Sequence, residues 1–310
     1  MSSDLYVIGL QEFVPLNIIT TLTNPGEELV GKWVSLLLKY VNREEAKYVL
    51  ISKSNMIGLC LIVLAREDVV KNISKPIQDK IRFGFNGILG NKGSLMLYMR
   101  YGNTPLCFFN CHFTHGHRGV NERMDQFYKV WRSVIKSESK EISVKGVEKV
   151  FVIGDLNFRL SLENEKCREL ISENNIKELL KYDELWANYK KEEEVEIKEA
   201  QITFIPTYKY NPGTNEFDTS KKKRVPAWCD RIIWKNSEGI VCTAYNSCMN
   251  ISSSDHKPLY GIYKVTITEV NKEAKEKVKE SVALTLTDER INELSIADSE
   301  KFLKKQKKIE

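Results

Sequence analysis

Lys149-Val150-Phe151-Val152-Ile153-Gly154-Asp155-Leu156-Asn157-Phe158-Arg159 decides how this chain reads. Lys149–Ile153 is a short β-branched, apolar run of the kind that forms a strand buried on both faces. Gly154 closes it, and the next five residues supply a carboxylate, a carboxamide and a guanidinium. Such groups at the end of a buried strand stand where a rigid scaffold presents its chemistry. Three more clusters have the same placement. Gln11-Glu12 follows the strand-like run Leu5–Leu10. Pro226-Ala227-Trp228-Cys229-Asp230-Arg231 lies within the strand-like stretch Val225–Lys235. Ser254-Asp255-His256-Lys257-Pro258 runs into another, Pro258–Thr268. One carboxylate at a strand end is usually a cap or an ion-pair partner; four such clusters in one chain point to a site.

Outward from these runs, strand-like and helix-like segments alternate. Ile57–Leu64, Ser94–Tyr101 and Leu106–Cys111 read as further strands. Pro25-Gly26-Glu27-Glu28 opens a helix with Val30, Trp33, Val34, Leu37, Leu38 and Val41 at helical spacing. A second helix carries Phe127, Val130, Trp131, Val134 and Ile135 on one face, and Leu160–Leu180 reads as a third. The pattern predicts an α+β or layered α/β architecture. No phosphate-binding G-x-x-x-x-G-K-[ST] or dinucleotide G-x-G-x-x-G element occurs. Asn271–Glu310 is rich in Lys and Glu and poor in aromatics, and is expected to be a helical or disordered tail (271–310) beyond a catalytic domain of residues 1–270.

Composition narrows the class. The chain has 310 residues, 42% hydrophobic and 29% charged, as an ordinary globular protein does. Its net charge of +5 suits an anionic partner. No apolar run reaches the roughly 18–20 residues that span a bilayer. Seven cysteines without a C-x-x-C pair, and a start without signal-peptide layout, lead us to expect a reduced, cytoplasmic protein.

The clusters share one chemistry. Glu12, Asp155 and Asp255 are hard oxygen donors suited to Mg²⁺. His256, with Asp230 available to orient its ring, offers a proton or charge donor near neutral pH. Asp155 with Asn157 suits positioning of a water. With basic residues nearby, phosphoester hydrolysis is the economical reaction class. The string His112-Phe113-Thr114-His115-Gly116-His117 has no matching Cys or His ligands elsewhere to make a zinc site. His115 and His117 are therefore read as surface or supporting residues. Trp228 and Cys229 read as packing residues, and Trp33 and Trp131 as core.

Leu10-Gln11-Glu12, Gly90-Asn91-Lys92-Gly93, Asn110-Cys111-His112, Gly154–Arg159, Pro206-Thr207-Tyr208-Lys209-Tyr210, Pro226–Arg231 and Ser254-Asp255-His256 come in one order. In that order they resemble the inositol polyphosphate 5-phosphatases of the endonuclease/exonuclease/phosphatase superfamily, over about residues 4–268. The resemblance implies a DNase I-like, two-sheet β-sandwich flanked by helices. It also implies Mg²⁺-dependent removal of the 5-phosphate from phosphatidylinositol 4,5-bisphosphate, phosphatidylinositol 3,4,5-trisphosphate or inositol 1,4,5-trisphosphate. Carried over residue by residue, Glu12 and Asp255 fall at the metal, and Asp155 and Asn157 at the attacking water. His256, held by Asp230, stabilises charge on the phosphate, which His112 and Arg123 contact. Tyr208, Lys209, Lys222 and Arg224 match a 4-phosphate clamp, and Asn91 and Lys92 the contacts to a 1-phosphate.

This sequence departs from the family in three places. A first strand carrying an Asn precedes Leu-Gln-Glu in the family, and only Met1-Ser2-Ser3 precede Asp4 here, so the sandwich is expected to lack that strand. The segment Gly87–Gly93 is shorter than its counterpart. Gly116 stands where the family often has a second histidine. The partners expected are phosphoinositide lipids or soluble inositol phosphates and, transiently, a cytosolic membrane face; nucleic acid is not expected, and a monomer is. Two other readings share the residues: a nuclease of the same superfamily, and a phosphoinositide-binding module with weakened catalysis.

Overall fold

The computed structural model describes residues 3–14, 26–43, 45–56, 58–83, 92–116, 119–136, 141–190, 195–269 and Lys277. The fold set out below belongs to the unit that runs to Ile267. Apart from Lys277, the expected tail lies outside the described residues, as do Asn91 and His117. No helix among those described is long and apolar enough to cross a membrane.

Two sheets face each other. In one, β1 (Leu5–Gln11), β3 (Leu59–Arg66) and β2 (Tyr48–Met56) are ordered β1-β3-β2. The other is six-stranded, built from β4 (Ile77–Phe83), β5 (Lys92–Tyr101), β6 (Thr104–His112), β9 (Lys149–Asp155), β10 (Ile197–Glu199) and β11 (Asp230–Lys235). Its order is β10-β11-β9-β6-β5-β4, with β6 and β9 parallel and the other pairs antiparallel. A hairpin, β12 (Ile240–Ser247) with β13 (Leu259–Val265), and the short ribbon β7 (Val134–Lys136) with β8 (Glu141–Ser143) complete the strands.

Side-chain alternation along the strands sorts the apolar residues into layers. Leu59, Leu61, Val63 and Ala65 of β3 face Leu95, Leu97, Phe108 and Phe151 of the large sheet. Cys60, Ile62 and Leu64 turn the other way, onto Val30 and Val34 of helix α1 (Gly26–Val41). Val150 and Val152 of β9 pack with Phe127, Val130 and Trp131 of helix α2 (Val120–Trp131). The result is helix, sheet, sheet, helix, the expected sandwich.

Several expected elements end differently. The stretch Leu160–Leu180 breaks into α3 (Asn164–Ser172) and α4 (Ile176–Leu179). Asn174 adopts a left-handed φ of 53°, and the Asn175 side chain accepts from the Glu178 N–H, capping the next helix. Helix α2 stops at Trp131, where the Ser133 hydroxyl bonds back to the Val130 carbonyl, so Val134 and Ile135 belong to β7. Trp33 is not core: it lies on the flank of α1, 37% exposed, while Trp131 is buried. Strands β2, β4, β7, β8, β10 and β12 add to the expected set.

Asn110, fully buried on β6, joins the two sheets. Its Nδ2 donates to the carbonyls of Leu10 (3.1 Å) and Cys60 (2.8 Å), and its Oδ1 accepts from Gln11 Nε2 at 2.5 Å. Gly9 and Gly154 make room, since a Cβ on either would stand 2.6 or 2.7 Å from that oxygen. Replacing Asn110 with Leu strands acceptors between the sheets, at roughly 1–3 kcal/mol for each buried group. Calorimetry is expected to show a melting temperature lower by several degrees, and an unchanged Tm would refute the tie.

Candidate active site

Strand register builds the site. Across the large sheet, Gly93 of β5 stands opposite His112 of β6, His112 beside Asp155 of β9, and Asp155 opposite Asp230 of β11. Residues in one register line project to the same face, so His112, Asp155 and Asp230 form a row at one end of the sheet. Lys92 adjoins that row, and β1, in the facing layer, ends in Gln11 and delivers Glu12.

Asp155 is the centre of the row. Gly154 precedes it at φ 119°, where a Cβ would strike the Cys111 carbonyl, so only glycine brings β9 this close to β6. Asn157, itself at φ 56°, donates its N–H to Asp155 Oδ1 (3.0 Å) and its Nδ2 to Oδ2 (2.9 Å). His112 Nε2 stands 3.2 Å from Asp155 Oδ2 and 3.9 Å from Glu12 Oε1, and also meets the Lys92 ammonium. That nitrogen can donate to a carboxylate or accept from Lys92, but not both at once. Burial by itself would raise the Asp155 pKa. The His112 hydrogen bond and the charges of His256, His112 and Lys92 outweigh it and hold the carboxyl well below its usual range.

His256 closes the row from the loop before β13. Its Nδ1 is 2.9 Å from Asp230 Oδ2, which also accepts from the Thr207 hydroxyl at 2.9 Å. This leaves Nε2 for the cleft. Burial alone would lower the imidazole pKa, but the charge and hydrogen bond of Asp230, helped by Asp155 and Asp255, push it up to about 9. His256 is therefore a cation at neutral pH. Tyr208 lies against it, ring centroids 4.5 Å apart, and the Arg159 guanidinium is 4.5 Å from the Tyr208 ring centroid.

Among the remaining expected residues, Lys209 reaches the same region with its ammonium 2.7 Å from Asp255 Oδ2. Asp218 accepts from the backbone N–H groups of Ser220 (2.9 Å) and Arg224 (2.8 Å) and shapes the turn that carries Lys222 and Arg224. Lys222 is exposed and Arg224 half-buried. Trp228 and Cys229 are buried packing residues, with the Trp228 Nε1 on the Phe204 carbonyl.

One placement corrects the sequence reading. Arg123 is fully buried: its Nη1 binds the carbonyls of Gly116 and Thr114, and its Nη2 binds Glu184 Oε2 at 2.5 Å. It braces the loop beyond His112 and has no face for a phosphate. Lys92, expected at a second phosphate, lies with its ammonium against His112 at the end of the row. One residue was missed. Arg159 donates Nε to the Asn157 carbonyl (3.0 Å) and Nη2 to Asn157 Oδ1, fixing the carboxamide that fixes Asp155. A guanidinium two residues after Asn157 was the available signal for it. His115 is exposed, in keeping with its reading as a surface residue.

Among the described residues no three His, Cys, Asp or Glu side chains form a ready-made cage. Glu12, exposed, and Asp155, buried, nevertheless bring hard oxygen donors to His112 Nε2 from two sides. Two carboxylates completed by water and phosphate oxygens are what Mg²⁺ prefers, so the donor set fits a divalent cation.

Two facing sheets with acids and histidines at one end define the class: an endonuclease/exonuclease/phosphatase fold of DNase I type. The chain belongs to Endonuclease/Exonuclease/phosphatase family 2, whose model matches residues 1–262. It is 34% identical over 272 residues to Polyphosphatidylinositol phosphatase INP53 of Saccharomyces cerevisiae, covering 86% of this chain and 24% of the relative. It is 30% identical over 294 residues to the Type II inositol 1,4,5-trisphosphate 5-phosphatase of Mus musculus, covering 92% and 29%. It thus spans under a third of these relatives' length. Among solved structures, the inositol polyphosphate 5-phosphatase domain of SPsynaptojanin, bound to inositol (1,4)-bisphosphate and calcium, matches with a TM-score of 0.76 and 28% identity, covering 94% of this chain and 84% of that one. Cimex nitrophorin in its ferrous NO complex shares the fold at 22% identity and a TM-score of 0.64, covering 86% and 89%.

The His256–Asp230 pair yields a direct test. In the wild-type protein the His256 ring is expected to titrate near pH 9 by NMR, and in Asp230→Asn to fall toward 6.5. Because the folded-state pKa is raised, the stability from this pair is complete below about 6.5 and is lost as pH rises through about 9. A ring that titrates near 6.5 in both proteins would refute the pairing.

Proposed function

We propose that this chain is a phosphoric monoester hydrolase that removes the 5-phosphate from inositol phosphates or phosphoinositides carrying a neighbouring 4-phosphate. The supporting observation is the row His112–Asp155–Asp230 with His256 above it, ringed by Lys92, Arg159 and Lys209. In-line attack of water on a phosphomonoester needs charge neutralisation and positioning more than covalent catalysis. Asp155 is ionised and oriented by Asn157 and Arg159, ready to hold the attacking water and take its proton. The Nε2–H of cationic His256 and the Lys92 ammonium face the three oxygens whose charge grows in the transition state. His112 fills the position between Asp155 and Glu12. A divalent ion held by Glu12 and Asp155 would supply Lewis-acid polarisation of the phosphate, and Mg²⁺ is the ion their oxygens favour.

The 4-phosphate falls to Lys209, Arg224 and Lys222, with Tyr208 between that side and His256. Asp255 acts here through Lys209, whose pKa its hydrogen bond raises, rather than as a metal ligand held apart. Asn91 keeps its proposed role at a 1-phosphate. The site is a cytosol-facing one in this reading, taking lipid headgroups or their soluble counterparts.

The test is a phosphate-release panel over phosphatidylinositol 4,5-bisphosphate, phosphatidylinositol 3,4,5-trisphosphate, phosphatidylinositol 3,5-bisphosphate and inositol 1,4,5-trisphosphate, with and without Mg²⁺. Substrates with adjacent 4- and 5-phosphates are expected to be cleaved and the 3,5-isomer spared. Asp155→Ala is expected to abolish release. Lys209→Ala and Arg224→Ala are each expected to raise KM about tenfold, one charge-assisted hydrogen bond, with kcat little changed. DNA cleavage in place of phosphate release would favour the nuclease reading. Headgroup binding without release would favour the binding module.

A further inference from the structure

Helix α3 presents one face to the turn that carries Lys222 and Arg224. Residues at i, i+3 and i+4 of a helix share a face, and Asn164, Cys167 and Arg168 have that spacing. All three meet backbone carbonyls of one segment. Arg168 Nη2 donates to the Asp218 carbonyl at 2.7 Å, the Cys167 Sγ lies 3.8 Å from the Pro226 carbonyl, and Asn164 Nδ2 donates to the Lys223 carbonyl. The two polar members also hold each other, with Arg168 Nε donating to Asn164 Oδ1 at 2.5 Å. One helix thus grips residues 218–226 at both ends.

The turn needs holding. Lys223 has a φ of 37°, a left-handed conformation that a residue with a Cβ adopts at a cost. Its N–H donates to the Ser220 carbonyl at 3.0 Å, and its own carbonyl is the one that Asn164 takes. Within the turn, the buried Asp218 carboxylate gathers the N–H groups of Ser220 and Arg224. The Asp218 N–H in turn donates to the Lys209 carbonyl at 2.8 Å. The backbones of Lys209, Lys222 and Arg224 are therefore connected through this one turn. Arg168 itself is engaged by protein: besides its two acceptors, its guanidinium lies 5.9 Å from the Phe217 ring centroid.

We propose that Asn164 and Arg168 are positioning residues that set selectivity for a substrate's second phosphate, by holding the turn in the conformation from which Lys222 and Arg224 meet it alongside Lys209. The inference rests on the 4-phosphate role proposed for those three cations. A long cationic side chain on a loose turn must be ordered when the anion binds, and that ordering weakens affinity; a turn held beforehand avoids it. None of the hydrogen bonds of Asn164 and Arg168 goes to the row His112–Asp155–Asp230 or to His256. Losing them therefore removes binding that is equal in the ground and transition states, which raises KM and leaves kcat alone.

Steady-state kinetics of the full chain with inositol 1,4,5-trisphosphate and Mg²⁺ test it, on Arg168→Ala, Arg168→Lys and Asn164→Asp. The aspartate keeps the acceptor for Arg168 Nε and loses the donor to the Lys223 carbonyl. Arg168→Ala and Asn164→Asp are each expected to raise KM about fivefold, the size of one hydrogen bond, with kcat within about twofold of wild type. Arg168→Lys is expected to recover most of the loss. In an Arg224→Ala background, Arg168→Ala is expected to add little, because it acts through the same group. By NMR, the Ser220 and Arg224 amides are expected to exchange faster in Arg168→Ala while those of β9 keep their wild-type rates, which separates loss of the grip from general unfolding. An unchanged KM in both α3 variants, a lower kcat at unchanged KM, or a full multiplicative effect in the Arg224→Ala background would each overturn the proposal. If Lys209→Ala and Arg224→Ala themselves leave KM unchanged, the 4-phosphate reading fails and the inference falls with it. If they raise KM and the α3 variants do not, the inference alone falls.

Discussion

The Asn110 carboxamide holds the two sheets in register where it matters. One buried side chain binds the carbonyls at the ends of β1 and in β3 and receives the Gln11 amide. Packing of apolar faces is nondirectional and would allow the sheets to slide. Three hydrogen bonds in a dry interior do not, because each has a defined geometry and a penalty when broken. Two residues beyond Asn110 is His112, and one beyond Gln11 is Glu12, so the tie sets the separation of the groups on either side of the candidate cation position. The glycines at 9 and 154 follow from it, since neither position has room for a Cβ beside that oxygen.

Around this tie, buried charge is used for position rather than for reaction. Arg231, completely buried, is held by Glu199 and by Asp183 at 2.8 Å, and Tyr245 adds its hydroxyl to Glu199 at 2.8 Å. The carboxylate of Glu184 accepts both Arg123 Nη2 and the Arg159 N–H at 2.9 Å. Pairs of this kind contribute little net stability, since desolvation offsets much of the attraction, but removing one partner is costly. What they supply here is placement: Arg231 anchors the start of β11 next to Asp230, and Glu184 locks the backbone of Arg159. The guanidinium of Arg159 is then free to grip Asn157.

Short-range features of the site were legible and long-range ones were not. Asp155, Asn157, Asp230 and His256 declare themselves through strand ends and local spacing, and the apolar runs at Leu5–Leu10, Leu106–Cys111 and Lys149–Ile153 all became strands. Arg123 was misplaced because its partner, Glu184, is far away in sequence, and burial cannot be read from a helix that also carries solvent-facing charges. The third helix was drawn too long because a residue in a left-handed turn, Asn174, looks like any other polar residue in a helical pattern. Trp33 shows the limit of periodicity: apolar spacing gives the stripe, but not how much of it the sheet below can cover.

The fold by itself leaves the chemistry open. Cimex nitrophorin in its ferrous NO complex shares the sandwich at a TM-score of 0.64, and two facing sheets do not by themselves specify a chemistry. What separates the possibilities is the sign and order of charge at the sheet ends. Here carboxylates occupy the centre, at Asp155 and Glu12, and cations surround them, with His256 kept protonated by Asp230. Such a ring of cations about a negative centre suits a multiply charged anion, which the cations attract and the central carboxylates keep from being held too tightly. The Lys209–Asp255 pair extends the same arrangement to the rim, where a carboxylate keeps the ammonium in place.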